Sequence, residues 1–249
     1  MDDQRTEHQL YGELAEWWPL ISPVDEYAEE ALFIAGMLRS AAIPVRDVLE
    51  LGSGGGHTAS HLKRMFAMTL VDLSTGMLAV SRRLNPECRH LLGDMRSVRL
   101  RRRFDAVLVH DAIGYMTSET ALAEVMATAF THCRPGGVAV FVPDRTVESF
   151  QPTTGYGGGD GPAGRAARFL EWTFDPDPSD TWILTEYAFM LKEASDEVRV
   201  VHETHRLGLF SRAAWLRLLG RAGFEAGVVT EMTAQDRPPR ELFTGHRPR

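Results

Sequence analysis

This chain has little of what would mark it for secretion, a membrane or a nucleic acid. Cysteine occurs twice in 249 residues, at Cys88 and Cys133, and the two have no metal-ligand spacing. Cys88 opens a predicted buried strand and Cys133 ends a predicted helix, so buried free thiols in a reducing cytoplasm account for both. A basic surplus is missing too. The net charge is −7 and the isoelectric point about 5.7, which argues against the footprint of a general nucleic-acid binder. The one basic run, Arg99-Leu100-Arg101-Arg102-Arg103, lies between two predicted strands and reads as a solvated loop. No apolar run approaches the roughly 18 residues of a membrane span. The opening Met1-Asp2-Asp3-Gln4-Arg5 is polar and acidic, unlike a signal peptide, and the expected location is the cytoplasm. Internal repeats are absent. What the chain does have is 44% apolar residues, enough for a sizeable core. Its length fits one α/β domain with an insertion better than two full domains.

The most informative run is Arg46-Asp47-Val48-Leu49-Glu50-Leu51-Gly52-Ser53-Gly54-Gly55-Gly56. It reads as a short apolar strand that ends in a glycine turn and leads into a helix at His57. Glycines at 52, 54 and 56 allow tight turning and close approach to a ligand. Amides at the start of the next helix then face that ligand, at the carboxyl end of a parallel strand. The spacing is not the dinucleotide G-x-G-x-x-G. A second strand, 67–72, ends in Asp72, where a carboxylate can accept two hydrogen bonds from a ribose diol. A third, 88–95, carries Gly93-Asp94-Met95, with an acid suited to an adenine amino group. A fourth spans 104–110, and Pro135-Gly136-Gly137 leads into a fifth at 138–142.

Strands alternating with helices at about 57–66, 76–84 and 118–132 imply a parallel, doubly wound sheet over 45–143. Ahead of it, residues 6–18 read as a helix with Leu10, Leu14, Trp17 and Trp18 on one side, broken by the segment from Pro19 to Pro23. Residues 24–40 read as a second amphipathic helix. Residues 151–164 hold six glycines and two prolines, the texture of a mobile or ligand-gated loop. Strand-like segments at 168–174, 181–192 and 198–210, joined by short polar turns, predict an antiparallel meander. Ser211 then caps a helix that stops at Gly223, and 224–230 with 241–245 close the sheet. The expected divisions are an amino-terminal helical lid at 1–42, a cofactor-binding core at 45–143, an antiparallel insert at 150–210 and core completion at 211–249.

With these motifs in order, the chain resembles the class I S-adenosylmethionine-dependent methyltransferases. Glu50-Leu51-Gly52-Ser53-Gly54-Gly55-Gly56 looks like their first motif, Asp72 like the ribose acid, Gly93-Asp94-Met95 like the adenine motif, and Arg134-Pro135-Gly136-Gly137 like the turn before strand five. The resemblance implies a Rossmann-like, doubly wound, mostly parallel seven-stranded sheet with an antiparallel insert after strand five. It also implies S-adenosylmethionine as cofactor and S-adenosylhomocysteine as product. The cofactor wall would be Tyr11, Tyr27, Glu50, Gly52, Ser53, Gly54, Gly56, Asp72, Leu73, Met77, Gly93, Asp94, Met95 and His110. Glu50 would lie near the cofactor's amino group or brace the loop, and Leu73 and Met95 would flank adenine. The loop His110-Asp111-Ala112-Ile113-Gly114-Tyr115 would face the reactive methyl group. Methyl transfer asks mainly for alignment and exclusion of water. Tyr11 and Tyr115 would shape the acceptor site, and His205 is a candidate base or orienting group, with an exposed strand histidine as the alternative. No residue reads as a metal ligand.

A closer likeness rests on Asp25-Glu26-Tyr27, on Asp111-Ala112-Ile113-Gly114-Tyr115, on His202-Glu203-Thr204-His205-Arg206-Leu207-Gly208-Leu209-Phe210 and on Ala222-Gly223-Phe224. These look like bacterial N-methyltransferases that dimethylate nucleotide-linked deoxyamino sugars, and like the small-molecule N- and O-methyltransferases around them. That family favours His where Tyr115 stands and a basic residue where Pro23 and Val24 stand. The expected partner is a small-molecule acceptor bearing N or O, with no nucleic acid and no membrane. Arg145, Arg165 and Arg168 flank the glycine-rich stretch and can meet phosphate or carboxylate. The insert offers a surface on which two subunits can pair. A non-catalytic cofactor-binding module and a nicotinamide oxidoreductase stay open as other readings. The Asn/Asp-Pro-Pro-aromatic signature of base methylation is missing after strand four.

Overall fold

The computed structural model describes residues 8–231 and 239–249. Residues 1–7 of the expected lid and 232–238 of the closing segment lie outside the described residues. In chain order the elements are α1 (Trp18–Ile21), α2 (Ala28–Leu38), β1 (Asp47–Leu51), α3 (His57–Leu62), β2 (Ala67–Asp72), α4 (Thr75–Leu84), β3 (Arg89–Leu92), β4 (Phe104–His110), α5 (Glu119–His132), β5 (Cys133–Val142), β6 (Thr153–Gly157), β7 (Ala166–Phe174), β8 (Trp182–Lys192), β9 (Val198–Gly208), α6 (Arg212–Ala222), β10 (Glu225–Thr230) and β11 (Glu241–His246).

Seven strands form one sheet in the order β10-β11-β5-β4-β1-β2-β3, in which β11 alone runs against its neighbours. All seven residues of β4 are buried, as an apolar strand covered on both faces must be. Successive side chains feed opposite layers. Leu49, Val107, Val109 and Phe141 pack with Met126, Trp215 and Phe243 on one face. Val48, Ala106, Leu108 and Val140 pack with Ile34, Leu38 and Leu62 on the other. The period of two along each strand thus makes the doubly wound core. Serine caps start three helices: Ser74 on α4, Ser118 on α5 and Ser211 on α6. As expected, α6 ends on Gly223 in the left-handed region.

Between β5 and α6 lies a separate antiparallel sheet, β6-β7-β8-β9. Here the structure corrects the sequence reading. Residues 151–164 are not a free loop, because β6 pairs with β7 from Thr153 to Gly157 and a 3₁₀ turn follows at Pro162–Gly164. Glycine-rich strands carry no readable hydrophobic period, so the edge strand was invisible without its partner. The amino-terminal helix is also corrected. Residues 8–21 form 3₁₀ turns at Gln9–Tyr11 and Ala15–Trp17 and then α1, with Pro19 inside its first turn, where a missing N–H costs nothing. The second helix starts as a 3₁₀ turn, Val24–Tyr27, before α2. The first segment is shaped by what it touches: Leu10, Leu14, Trp17 and Ile21 pack on Ala167, Phe189 and Leu191 of the insert, while Ala15 packs on Met77 and Val80 of α4. Cys88 precedes a half-exposed edge strand rather than opening a buried one, whereas Cys133 is buried, and both thiols are free.

Candidate active site

The site lies where the carboxyl ends of β1, β2 and β4 meet the amino-terminal segment and the inner face of the insert. Its first half is the glycine loop. Gly52, Gly54 and Gly56 all have positive φ, at 74°, 51° and 75°. A Cβ on Gly52 would stand 2.5 Å from the Ala112 Cβ, so the loop and the turn after β4 meet at a distance only glycine allows. Asp72 braces the loop: one carboxylate oxygen accepts the Gly54 N–H at 2.7 Å and the other accepts Ser74 N–H at 2.8 Å. Burial raises its pKa, against the amide bonds. Glu50 is buried, and its Oε2 has no hydrogen-bond partner among the described residues; the same holds for Ser53 Oγ. Burial lifts the Glu50 pKa to about 8, with His110 opposing the shift and Asp72 and Asp111 adding to it. A glycine cradle with an orphan carboxyl and an orphan hydroxyl is what an amino-acid-bearing cofactor with a ribose would fill.

The other expected cofactor residues fall around this cradle. Met77 is buried with its Cε 3.5 Å from where a Cβ on Gly54 would lie, and the Met95 Sδ comes within 3.7 Å of one on Gly52. Leu73 is 58% exposed beside the cradle. The Gly93 N–H bonds the Asp72 carbonyl. Asp94 caps its own turn and holds Arg96 in a two-pronged ion pair, the helix-cap alternative to an open adenine acceptor. Tyr27 bonds Ser22 Oγ at 2.7 Å and stands edge-on to His57 and His110. His110 lies against Glu30 at 3.2 Å and Asp111 at 3.4 Å. Burial works to lower its pKa, but Asp111 and Glu30 outweigh this and raise it to about 9. Arg240 joins the same cluster, 2.9 Å from Glu30, 3.1 Å from Asp111 and 2.8 Å from Asp144.

The second half is a line of hydrogen bonds that the sequence scatters over 195 positions and the fold closes up. Tyr11 Oη and Tyr115 Oη are 2.6 Å apart, Tyr115 Oη is 2.8 Å from His205 Nδ1, and His205 Nε2 is 3.0 Å from Glu203 Oε2. His205 is 1% exposed, so it is not the exposed strand histidine. It faces inward because β9 pairs with β8 in a register that puts Glu203 opposite Tyr187 and His205 opposite Thr185. Burial raises the Tyr11 and Tyr115 hydroxyl pKa values, keeping both protonated. His8 packs over His205 at 3.9 Å between ring centroids, and burial and His205 hold its pKa down at about 4 despite Glu203. Ligand atoms of His8, Glu203 and His205 lie within 4.8 Å of one another; the hydrogen bonds that the carboxylate accepts from Leu10 and His205 account for it.

Glu30, Asp144, Tyr187 and Arg240 were not singled out from the sequence, and Asp111 and Glu203 were named there only within longer runs, without a role of their own. A signal for Glu203 and Tyr187 existed in the alternation of the insert strands, but reading it needs the register. Of the three flanking arginines, only Arg145 stays beside the site, next to Asp144 and bonded to Thr153. Arg165 stacks on Trp17 at 4.0 Å, and Arg168 pairs with Asp160 on the surface.

Residues 48–137 match a family profile described as a methyltransferase domain. The chain is 30% identical over 241 residues to dTDP-3-amino-3,6-dideoxy-alpha-D-glucopyranose N,N-dimethyltransferase of Streptomyces fradiae, covering 94% of this chain and 91% of that one. It belongs to the S-adenosylmethionine-dependent methyltransferases. Among solved structures, the methyltransferase is similar to DesVI of Streptomyces venezuelae, with a TM-score of 0.79 and 25% identity over 89% of this chain and 92% of that one. It is similar also to the sugar N-methyltransferase KedS8 from Streptoalloteichus, with a TM-score of 0.78 and 25% identity over 90% and 88%. A hydride-transferring enzyme and a non-catalytic module are therefore not the favoured readings. No helix among the described residues is long and apolar enough to cross a membrane.

Proposed function

We propose that this methyltransferase acts on the amino group of a nucleotide-linked deoxyamino sugar. The observation that carries the proposal is the Tyr11–Tyr115–His205 line, a buried route by which an amine can lose a proton; the Streptomyces fradiae relative, named for an amino-sugar nucleotide, supports it. When bound, S-adenosylmethionine supplies an electrophilic methyl group, and its transfer leaves S-adenosylhomocysteine. Gly52, Ser53, Gly54, Gly56 and Asp72 would hold the cofactor's backbone and ribose, Glu50 and His110 its amino-acid end, and Leu73, Met77, Gly93, Asp94 and Met95 its adenine side. Tyr11 and Tyr27 would close over it. An amine must be neutral to attack, so Tyr115 would take its proton while handing its own to His205 Nδ1, and Tyr11 would orient the nitrogen. Alignment and dryness supply most of the rate.

The test is turnover of dTDP-linked amino sugars, their hydroxyl counterparts and unrelated amines, followed by mass. Gains of one and then two methyl groups on the amino sugar alone are expected. Turnover of the hydroxyl counterpart with an inert amino sugar would reject the amine assignment.

The same reading extends to pairing of two copies. Tyr156, Leu170, Trp172, Met190, Val198 and Val200 share the outer face of the insert sheet and are each more than half exposed. An apolar patch of that kind marks an interaction surface. Sedimentation of the wild type should give a dimer, and Trp172→Glu with Met190→Glu should give a monomer.

A further inference from the structure

The Glu203 carboxylate has two hydrogen-bond partners on different parts of the chain, and His8 Nδ1 lies 3.8 Å from its Oε2. Its Oε1 accepts the N–H of Leu10 at 2.8 Å, and Leu10 belongs to the amino-terminal segment that covers the site. Its Oε2 meets His205 Nε2 at 3.0 Å. A carboxylate only accepts. In the neutral ring His205 must therefore carry its proton on Nε2, which leaves its Nδ1, 2.8 Å from Tyr115 Oη, as the acceptor. Both side chains are buried, so water does not offer His205 Nε2 another partner. The tautomer is thus set by a group on the opposite ring nitrogen from Tyr115.

We propose that Glu203 is a positioning residue: it fixes His205 in the tautomer that can receive a proton from Tyr115, and it does so while tied to the covering segment. This inference rests on the proton route proposed above. In the step it serves, the Tyr115 oxygen takes one proton from the acceptor's ammonium as the Tyr115 hydroxyl proton moves to His205 Nδ1. The acceptor becomes a neutral amine, Tyr115 is unchanged, and His205 becomes an imidazolium whose charge the Glu203 carboxylate balances. The bond to Leu10 links the arrangement to closure, because the carboxylate is held on its other side only when residues 8–11 lie over the site.

Glu203→Gln separates these roles. The amide oxygen can still accept from Leu10, but the amide NH2 now faces His205 Nε2 and turns it into an acceptor, which moves the ring proton to Nδ1 and closes the route from Tyr115. In the protein labelled with ¹⁵N-histidine, the wild type is expected to show His205 protonated at Nε2 and the variant at Nδ1. The variant's kcat should fall by about 100-fold, the lower end of what general acid–base catalysis contributes. The acceptor KM and the affinity for S-adenosylhomocysteine should change by no more than about threefold. Glu203→Asp keeps an acceptor for His205 but shortens the reach to Leu10. It should retain the Nε2–H tautomer and show its loss mainly in KM. An unchanged tautomer in Glu203→Gln, or a wild-type kcat, overturns the proposal. His205→Gln is the control for the underlying route: full turnover in that variant rejects His205 as proton acceptor, whereas a slow His205→Gln beside a wild-type Glu203→Gln rejects Glu203 alone.

Discussion

Glu50 and Asp72 border the same cradle, and burial raises the pKa of both. Asp72 spends its oxygens on two loop amides. Replacing it with Ala removes the brace together with the proposed ribose acceptor, and a charge-assisted hydrogen bond is worth about 1.5–3 kcal/mol. Affinity for S-adenosylhomocysteine should drop tenfold or more in a calorimetric titration. Glu50 has a pKa of about 8 and so holds its proton at neutral pH in the free protein. A ligand ammonium placed beside it favours the carboxylate, so binding below that pH should expel up to one proton. Titrations at pH 7 in two buffers of different ionisation enthalpy should reveal that proton, and affinity should rise with pH until about pH 8. Glu50→Gln should abolish both effects; proton release that persists in the variant would move it to another group.

At the scale of elements, the glycine turn is a joint between β1, α3 and α4. Gly56 has a φ of 75°, and a Cβ there would lie 2.2 Å from Ser81 Oγ and 2.4 Å from Asn85 Nδ2, whose amide bonds the Gly56 carbonyl. Gly56→Ala should cost about 1–3 kcal/mol from backbone strain alone, read by urea denaturation. A loss within that range would mean that α4 gives way to the added methyl group, and a larger one that it does not. This joint was legible in the sequence because its constraint is local: a strand, a positive-φ turn and a helix in one run. The strand β6 was not legible, since five residues with two glycines have no period of their own and are strand only because β7 pairs with them. The amino-terminal segment failed for a related reason. Its apolar residues serve two surfaces, the insert and α4, so their spacing fits no single helical face.

For the whole molecule, buried histidine sets the acid limit. Burial and the neighbouring His61 lower the His57 pKa to about 4, while in the unfolded chain it titrates near 6.5. Between those values the unfolded state binds more protons, so stability rises with pH across that window. Seen the other way, a penalty starts as pH falls below about 6.5 and is complete near 4. One group shifted that far accounts for on the order of 3 kcal/mol. Chemical denaturation at pH 7 and pH 4.5 should register part of that loss, and His57→Asn should register less. Equal slopes in the two proteins would assign the acid sensitivity elsewhere.

Class and cofactor were legible in the sequence alone, because the glycine turn that carries them is made from consecutive residues whose conformations are locally dictated. Glycines that need positive φ, acids at strand ends and serines at helix starts carry their meaning within a few positions. The proposed acceptor half was decided only by tertiary structure. Tyr11, Tyr115, Glu203 and His205 come from an amino-terminal 3₁₀ turn, a loop after β4 and an insert strand. Alternation along the insert strands puts Glu203 and His205 on one face and Met190 and Val200 on the other, but does not say which face turns inward. That choice follows from the pairing register, since a slip of one residue exchanges the two faces.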